Sequence, residues 1–125
     1  MAFTARKLVV GTGDAAVSSA EVETVTQLTA GQNDYAPGTD RVQRWSSDAS
    51  RTVTGMAAGA TAEERIIINS GSFDIVFSHQ SASSTAANRF LSTTGASITL
   101  GADAILFAIY DATTARWRIS KLPVA

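Results

Sequence analysis

Residues 65–79 carry the strongest β signal in the chain, because two apolar runs there flank a polar turn. The first run contains three consecutive β-branched residues at 66–68, and an unbroken run of this kind predicts a strand that is covered on both faces. After the turn at residues 69–72, apolar and polar residues alternate from 73 to 77, which predicts a half-buried strand. Together the two runs predict a β-hairpin.

A second run, at residues 103–110, is also apolar on both faces. One face carries Leu106, Ala108 and Tyr110, and the other carries Ile105, Phe107 and Ile109. The turn at residues 111–114 leads into residues 116–119, where the two arginines share one face and Trp117 and Ile119 share the other. This arrangement predicts a closing hairpin between the two runs.

Shorter runs separated by turn residues complete the pattern. They predict strands within residues 22–29, 41–45, 51–54, 89–93 and 97–100. In the strand at 41–45, Arg41, Gln43 and Trp45 are expected to share one face, with Val42 on the other. No stretch shows a convincing helical period, so the chain is expected to be all-β, as a small β-sandwich or jelly-roll-like barrel of short antiparallel strands. We divide it into an N-terminal arm at residues 1–20 and a single β domain at residues 21–125. The arm is interpreted either as a frayed terminus or as a tether that docks on a neighbouring subunit.

Two doubly apolar strands are more than one thin sandwich of this length easily buries. Leaving such faces wet would create an exposed patch that soluble monomers seldom tolerate. We therefore expect a second cover for these strands, supplied by another subunit.

Charge and composition narrow the choice of partners. The formal charge is −1, with 10 basic and 11 acidic residues scattered along the chain, which favours neither nucleic acid nor an anionic membrane. The chain has no cysteine, so neither a disulfide framework nor a thiolate metal site is expected. The short apolar run near the start is too brief for a secretion signal, and no run approaches the length of a membrane helix. We expect a soluble protein.

The residues that could carry catalysis do not form a recognisable set. His79 is the sole histidine, and its simplest interpretation is a strand-end residue that makes one hydrogen bond. Adjacent Glu63 and Glu64 would diverge in a strand, and the glycines at 11 and 13 lack the third glycine and the helix of a phosphate loop. No catalytic residue, metal ligand or cofactor is predicted, and the protein is not expected to be an enzyme.

Several short motifs in the second half of the chain arrive in a defined order. They are TVTG at 52–55, INSG at 68–71, NRF at 88–90, YD at 110–111 and RWR at 116–118. Taken together, residues 40–120 resemble a module that recurs in virion proteins of tailed bacteriophages, including fibre and head-decoration proteins. The resemblance implies an all-β, often trimeric virion component. Because the chain is little more than this module and a short arm, a decoration protein is favoured over a fibre.

The expected function is that of a capsid decoration or cement protein on the outer surface of the virion. It would form a homotrimer, bind the major capsid protein and stabilise the shell. Candidate interface residues are Arg6, Lys7, Trp45, Arg89, Arg116 and Arg118, since guanidinium groups and aromatic rings are enriched at interfaces. The alternative is a receptor-binding module of a tail fibre, which would bind cell-surface carbohydrate through Trp45, Tyr35 or the hydroxyl-rich loop at residues 81–85.

Overall fold

The computed structural model describes residues 22–122, and this part of the chain is all-β, as predicted. Its strands are β1 (Val22–Thr24), β2 (Val42–Trp45), β3 (Arg51–Val53), β4 (Glu64–Asn69), β5 (Ile75–Phe77), β6 (Phe90–Ser92), β7 (Ile98–Leu100), β8 (Ile105–Asp111) and β9 (Arg116–Leu122). A single 3₁₀ turn at Ala86–Asn88 precedes β6. The predicted arm at residues 1–20 lies outside the described residues.

The strands form two sheets whose pairing is mixed rather than antiparallel. The larger sheet has the order β1-β2-β4-β8-β9-β6, and the smaller one has the order β3-β5-β7. Strands β1, β2 and β4 run parallel, as do β3 and β5, whereas β8 is antiparallel to both β4 and β9. The prediction of an antiparallel sandwich or jelly roll is therefore wrong, because successive segments stack in parallel as the coils of a β-solenoid.

The register shows how the coils repeat. Val22 lies beside Val42, which lies beside Ile66, and in the smaller sheet Val53 lies beside Phe77. One coil thus takes roughly 20 to 24 residues, a length typical of stacked repeats. Parallel neighbours cannot be joined by a two-residue turn, so each coil crosses from one sheet to the other before it returns.

Asn69 explains why the predicted hairpin at residues 65–79 is wrong. Its side chain is fully buried, and its amide nitrogen donates hydrogen bonds to the carbonyl oxygens of Phe73 and Leu100, each at 2.8 Å. Its side-chain oxygen accepts a hydrogen bond from the backbone N–H of Gly71 at 3.1 Å. These bonds hold a corner at which the chain leaves the larger sheet, so β4 and β5 lie in different sheets and do not pair.

The core lies between the two sheets. Trp45 and Phe77 pack with ring centroids 5.6 Å apart, and Phe77 packs edge-on against Phe90 at 5.4 Å. Elsewhere on the inner side of the larger sheet, Trp117 packs against Tyr110 at 5.2 Å. These rings are buried, and they join coils that are far apart in sequence.

The closing hairpin is confirmed. Strands β8 and β9 pair antiparallel from Asp111 opposite Arg116 to Ile105 opposite Leu122. The predicted alternation also holds, because Leu106, Ala108 and Tyr110 are buried while the residues between them point outward.

Candidate functional site

The outward face of the larger sheet presents a row of apolar side chains across four strands. The register places Val22, Val42, Ile66 and Phe107 side by side in this row. A second row, two residues along, contains Ile68, Ile105 and Leu122, and it begins with Thr24 and the exposed Arg44. Alternating burial confirms the direction of these side chains, since their strand neighbours Ile67 and Leu106 are completely buried. We call this surface the outer face.

The outer face holds most of the exposed apolar residues of the described chain. Among residues 22–122, five large apolar side chains are exposed, and four belong to this face: Val22 at 50%, Phe107 at 40%, Ile109 at 43% and Leu122 at 47%. The fifth, Phe73, lies between β4 and β5. Scattered exposed apolar residues need no explanation, but a contiguous group across one sheet marks an interaction surface.

A groove of about 480 Å³ runs over the middle of the outer face. Ile66, Phe107 and Ile109 line it, and arginines stand at its ends. Arg41 donates to Glu64 at 2.8 Å on one side, and Arg118 donates to Asp111 at 2.9 Å on the other. The guanidinium of Arg118 lowers the pKa of the Asp111 carboxyl below its ordinary value. Glu64 and Arg118 both lie beside Ile109 in the sheet, so the two ion pairs flank the apolar rows at one end of the strands.

A polar junction stands at a second place, where the NRF motif meets the loop after β1. The carboxylate of Asp34 accepts hydrogen bonds from the side-chain amide of Asn88 at 2.9 Å and from the backbone N–H of Thr85 at 2.8 Å. The amide of Asn88, followed by the Thr85 N–H, lowers the pKa of Asp34. Asp34 has a positive φ of 49°, which orients its backbone N–H toward the hydroxyl of Ser84 at 2.9 Å.

Gly55 makes this junction possible by bringing two backbone segments together. It forms an isolated antiparallel bridge with Arg89. A Cβ atom at this position would lie 2.6 Å from the Asn88 carbonyl oxygen and 2.6 Å from the Ser84 hydroxyl oxygen. The glycine of the TVTG motif is therefore required by close approach of the chain, and not by an unusual φ.

The other motif residues brace the same junction. Arg89 donates through Nε to the carbonyl oxygen of Ser84 at 2.9 Å, and its own carbonyl accepts from the backbone N–H of Trp117 at 3.0 Å. The Tyr110 hydroxyl donates to the Ala87 carbonyl at 2.8 Å. Four of the five motifs behind the phage resemblance thus meet in space, and their contacts position loops, whereas INSG forms the separate corner at Asn69.

Trp45 is the clearest correction among the candidate interface residues. It has no exposed surface, its indole N–H donates to the Gln43 side chain at 2.9 Å, and Tyr35 packs edge-on against its ring at 5.3 Å. Of the three residues predicted to share one face, Gln43 and Trp45 do so, but that face is the interior, and Arg41 is exposed at the groove of the outer face instead. Trp45 therefore presents no surface to a partner or to a sugar.

The candidate arginines differ in where they lie and in what they contact. Arg118 lies on the outer face, as an interface role requires. Arg116 donates to the Gln80 side chain at 2.7 Å and to backbone carbonyls of its own turn, and Arg89 is engaged in the polar junction. Arg6 and Lys7 lie outside the described residues. Of the candidates that the structure describes, only Arg118 borders the apolar rows.

The carbohydrate candidates are less open than predicted. Tyr35 is half-buried, and burial raises the pKa of its hydroxyl. In the loop at residues 81–85, Ser84 is buried and its hydroxyl lies 2.7 Å from that of Thr54. Ser83 and Thr85 of this loop are exposed and Ser81 is half-buried, so the carbohydrate alternative now depends on this loop and not on the aromatic rings.

The remaining chemistry of the described region is structural. Nδ1 of His79 accepts a hydrogen bond from the backbone N–H of Ser92 at 3.0 Å, as expected for a strand-end histidine. Within residues 22–122, no group of three or more His, Asp or Glu side chains could hold a metal ion. No helix in the same range is long and apolar enough to cross a membrane.

Sequence reasoning found part of the outer face and missed the rest. The doubly apolar runs pointed to Ile66 and Phe107, but nothing marked Val22 or Val42 as members of the same row. Asp34 was also missed, because its partners lie about 50 residues away and only the solenoid brings them together.

Comparison of the chain with protein-family models, curated proteins and solved structures finds no match. The resemblance to phage virion modules thus rests on the sequence motifs alone.

Proposed function

We propose that the protein is a structural component of a phage virion, a capsid decoration protein that binds the outer capsid surface and stabilises the shell. The observation that carries the proposal is the outer face, an apolar surface bordered by ion pairs on an otherwise well-packed sheet. Such a surface is typical of proteins that act by binding other protein chains. The resemblance of the sequence motifs to virion modules is the reason for placing this binding surface on a phage particle.

The solenoid suits this role because its binding surface is built on paired strands. Strand β8 is hydrogen-bonded on both sides, to β4 and to β9, so the side chains of the outer face project from a rigid support. A preorganised surface loses little conformational entropy when it binds, and more of the contact energy remains as affinity.

Stabilisation of the shell would follow from linkage. A protein that binds the assembled capsid and not its separated subunits shifts the equilibrium toward the assembled state. The partner in this scheme is the major capsid protein, and a homotrimer would bind it with three linked chains at one capsid junction.

The test compares complete phage particles with particles that lack this chain. Heating is expected to open the deficient shells at a lower temperature, measured as DNA release with a fluorescent dye, and adding the purified protein back should restore the original temperature. Equal heat resistance with and without the chain would sink the cement role.

Copy number distinguishes the decoration role from the fibre alternative. A stained gel of purified particles should show the chain at hundreds of copies, as expected for a protein that covers a capsid surface. A few copies per particle would point to a tail-fibre tip and to the carbohydrate-binding alternative.

A further inference from the structure

We propose that the outer face is the surface through which copies of this chain associate with one another. The inference rests on the proposed function only in taking the protein to be a virion component. It names further copies of this chain as the partner of the outer face. The number of copies expected is three, as in the homotrimer proposed for the virion.

The first argument is the position of the most exposed apolar residues. Phe107 is the last apolar member of the row, with Ile66 beside it on β4 and Ser120 beside it on β9, and Ile109 follows on the same strand. A phenylalanine at 40% exposure, with Ile66 beside it and Ile105 and Ile109 on the same face of its own strand, is best explained by a cover that the single chain does not supply.

The second argument is charge. The border of the outer face carries both signs, with Arg41 paired to Glu64 and Arg118 paired to Asp111. In a threefold assembly, the β2 side of one outer face would meet the β9 side of the next. The first side carries the Arg41–Glu64 pair and Arg44, and the second carries the Arg118–Asp111 pair, so groups of both signs are present on each side and opposite charges can be brought together. A border of one sign would instead have favoured a partner of the opposite charge.

The third argument is size. Six strands spaced about 4.8 Å apart span about 24 Å, and strands as long as β8 and β9 run for about 23 Å. This plan of roughly 500 Å² carries a larger accessible surface, because side chains make the face uneven. It is of the same order as the roughly 800 Å² that each partner contributes to a stable interface.

The primary test is the mass of the purified full chain, measured by light scattering after size exclusion over a range of concentrations. Three times the chain mass of 13.0 kDa is expected. Twice that mass would support the face and remove the threefold assembly from the proposed function. A single mass near 13.0 kDa at every concentration would overturn the inference.

Two phenylalanines form a matched pair for locating the interface. Phe107→Asp places a charge in the row that contains Val22, Val42 and Ile66. It should raise the dissociation constant of the assembly by about tenfold to a hundredfold, roughly the loss expected from one buried phenylalanine. Phe73→Asp makes the same change at a residue of similar exposure, 48%, that lies away from the outer face, and should leave the mass unchanged. An assembly that survives Phe107→Asp and Ile109→Lys must use another surface.

Single cysteines provide a readout that does not disrupt the assembly. Since the chain has no cysteine of its own, Phe107→Cys and Phe73→Cys each introduce one labelling site. The thiol at 107 should react with a maleimide more slowly as protein concentration rises, whereas the thiol at 73 should react at a constant rate. Equal, concentration-independent rates at both sites would contradict the inference.

The two proposals fail in different ways. A monomer that still binds phage shells through the outer face would overturn self-association and leave the decoration role standing. A trimer that depends on Phe107 but is absent from purified particles would leave the face standing and remove the virion role.

Discussion

The two faces of the larger sheet are built from similar apolar residues but have different surroundings. Ile67 on the inner side of β4 is completely buried against the smaller sheet, whereas its neighbours Ile66 and Ile68 on the outer side are only partly covered. On β8, Leu106 and Phe107 differ in the same way. The comparison shows that an apolar side chain on a strand indicates a surface to be buried. It does not indicate whether the same chain or a partner buries that surface.

The difference between the faces also separates two kinds of stability. Inner side chains contribute to the folding of each chain, because their cover is part of the same chain. Outer side chains can contribute only when a partner is present, and their contribution then depends on protein concentration.

The largest expected effect comes from truncating the inner side. Ile67→Ala should lower the free energy of unfolding by about 2 to 5 kcal/mol, because it leaves a cavity in a packed core. The measurement is urea denaturation followed by tryptophan fluorescence, which reports on the buried Trp45 and Trp117.

Ile66→Ala is the matched control, since it makes the same change one residue away on the outer side. At protein concentrations low enough to separate the copies, it should cost clearly less than Ile67→Ala. At high concentration its cost should grow, because the outer face is then covered. Equal costs at low concentration would show that the two faces are not different in the single chain.

A smaller loss of stability is expected from a change in the polar junction, at Gly55. Gly55→Ala should lower the free energy of unfolding by about 1 to 3 kcal/mol, because the new methyl group would press on the Asn88 carbonyl and the Ser84 hydroxyl. Gly101→Ala is the control, since its Cβ would meet Asp74 at an ordinary 3.6 Å, and should change stability by less than about 1 kcal/mol. Thermal melts of both variants decide the point, and a neutral Gly55→Ala would contradict the close packing.

The smallest expected effect concerns the acid dependence of Asp34. Its pKa is lowered in the folded state, so its contribution to stability is present above the unfolded pKa and is lost as pH falls through the folded pKa. Asp34→Asn should therefore be less stable than the original chain at neutral pH, and the difference should shrink as pH falls below the ordinary aspartate range. Urea titrations at several pH values measure it, and a difference that grows toward acid would have the wrong sign.

Asp111, on the outer side, can be compared with Asp34 by the effect of salt on the pH dependence of stability. Its pKa is lowered mainly by the Arg118 guanidinium, whereas that of Asp34 is lowered mainly by the neutral amide of Asn88. Added salt screens exposed charges. The pH dependence contributed by Asp111 should therefore weaken in high salt, while that of Asp34 should change little.

Much of the local structure could be read from the sequence. Alternation of apolar and polar residues predicted the β8–β9 hairpin and the faces of its side chains, because a strand has a strict period of two. The same rule placed Gln43 and Trp45 together, but the inward direction of that face depended on contacts with Tyr35 and Phe77. The candidate interface at Trp45 was wrong for this reason.

The sequence by itself determined that the described part of the chain is all-β, where most of its strands lie and that two of them are apolar on both faces. Only the tertiary structure decided that the strands stack as parallel coils, that Asn69 turns β4 away from β5, and that Val22, Val42, Ile66 and Phe107 form one outer row. The physical reason is the range of the interactions. Strand periodicity is a property of neighbouring residues, whereas the pairing of coils depends on contacts between segments some 20 or more residues apart, which no local pattern encodes.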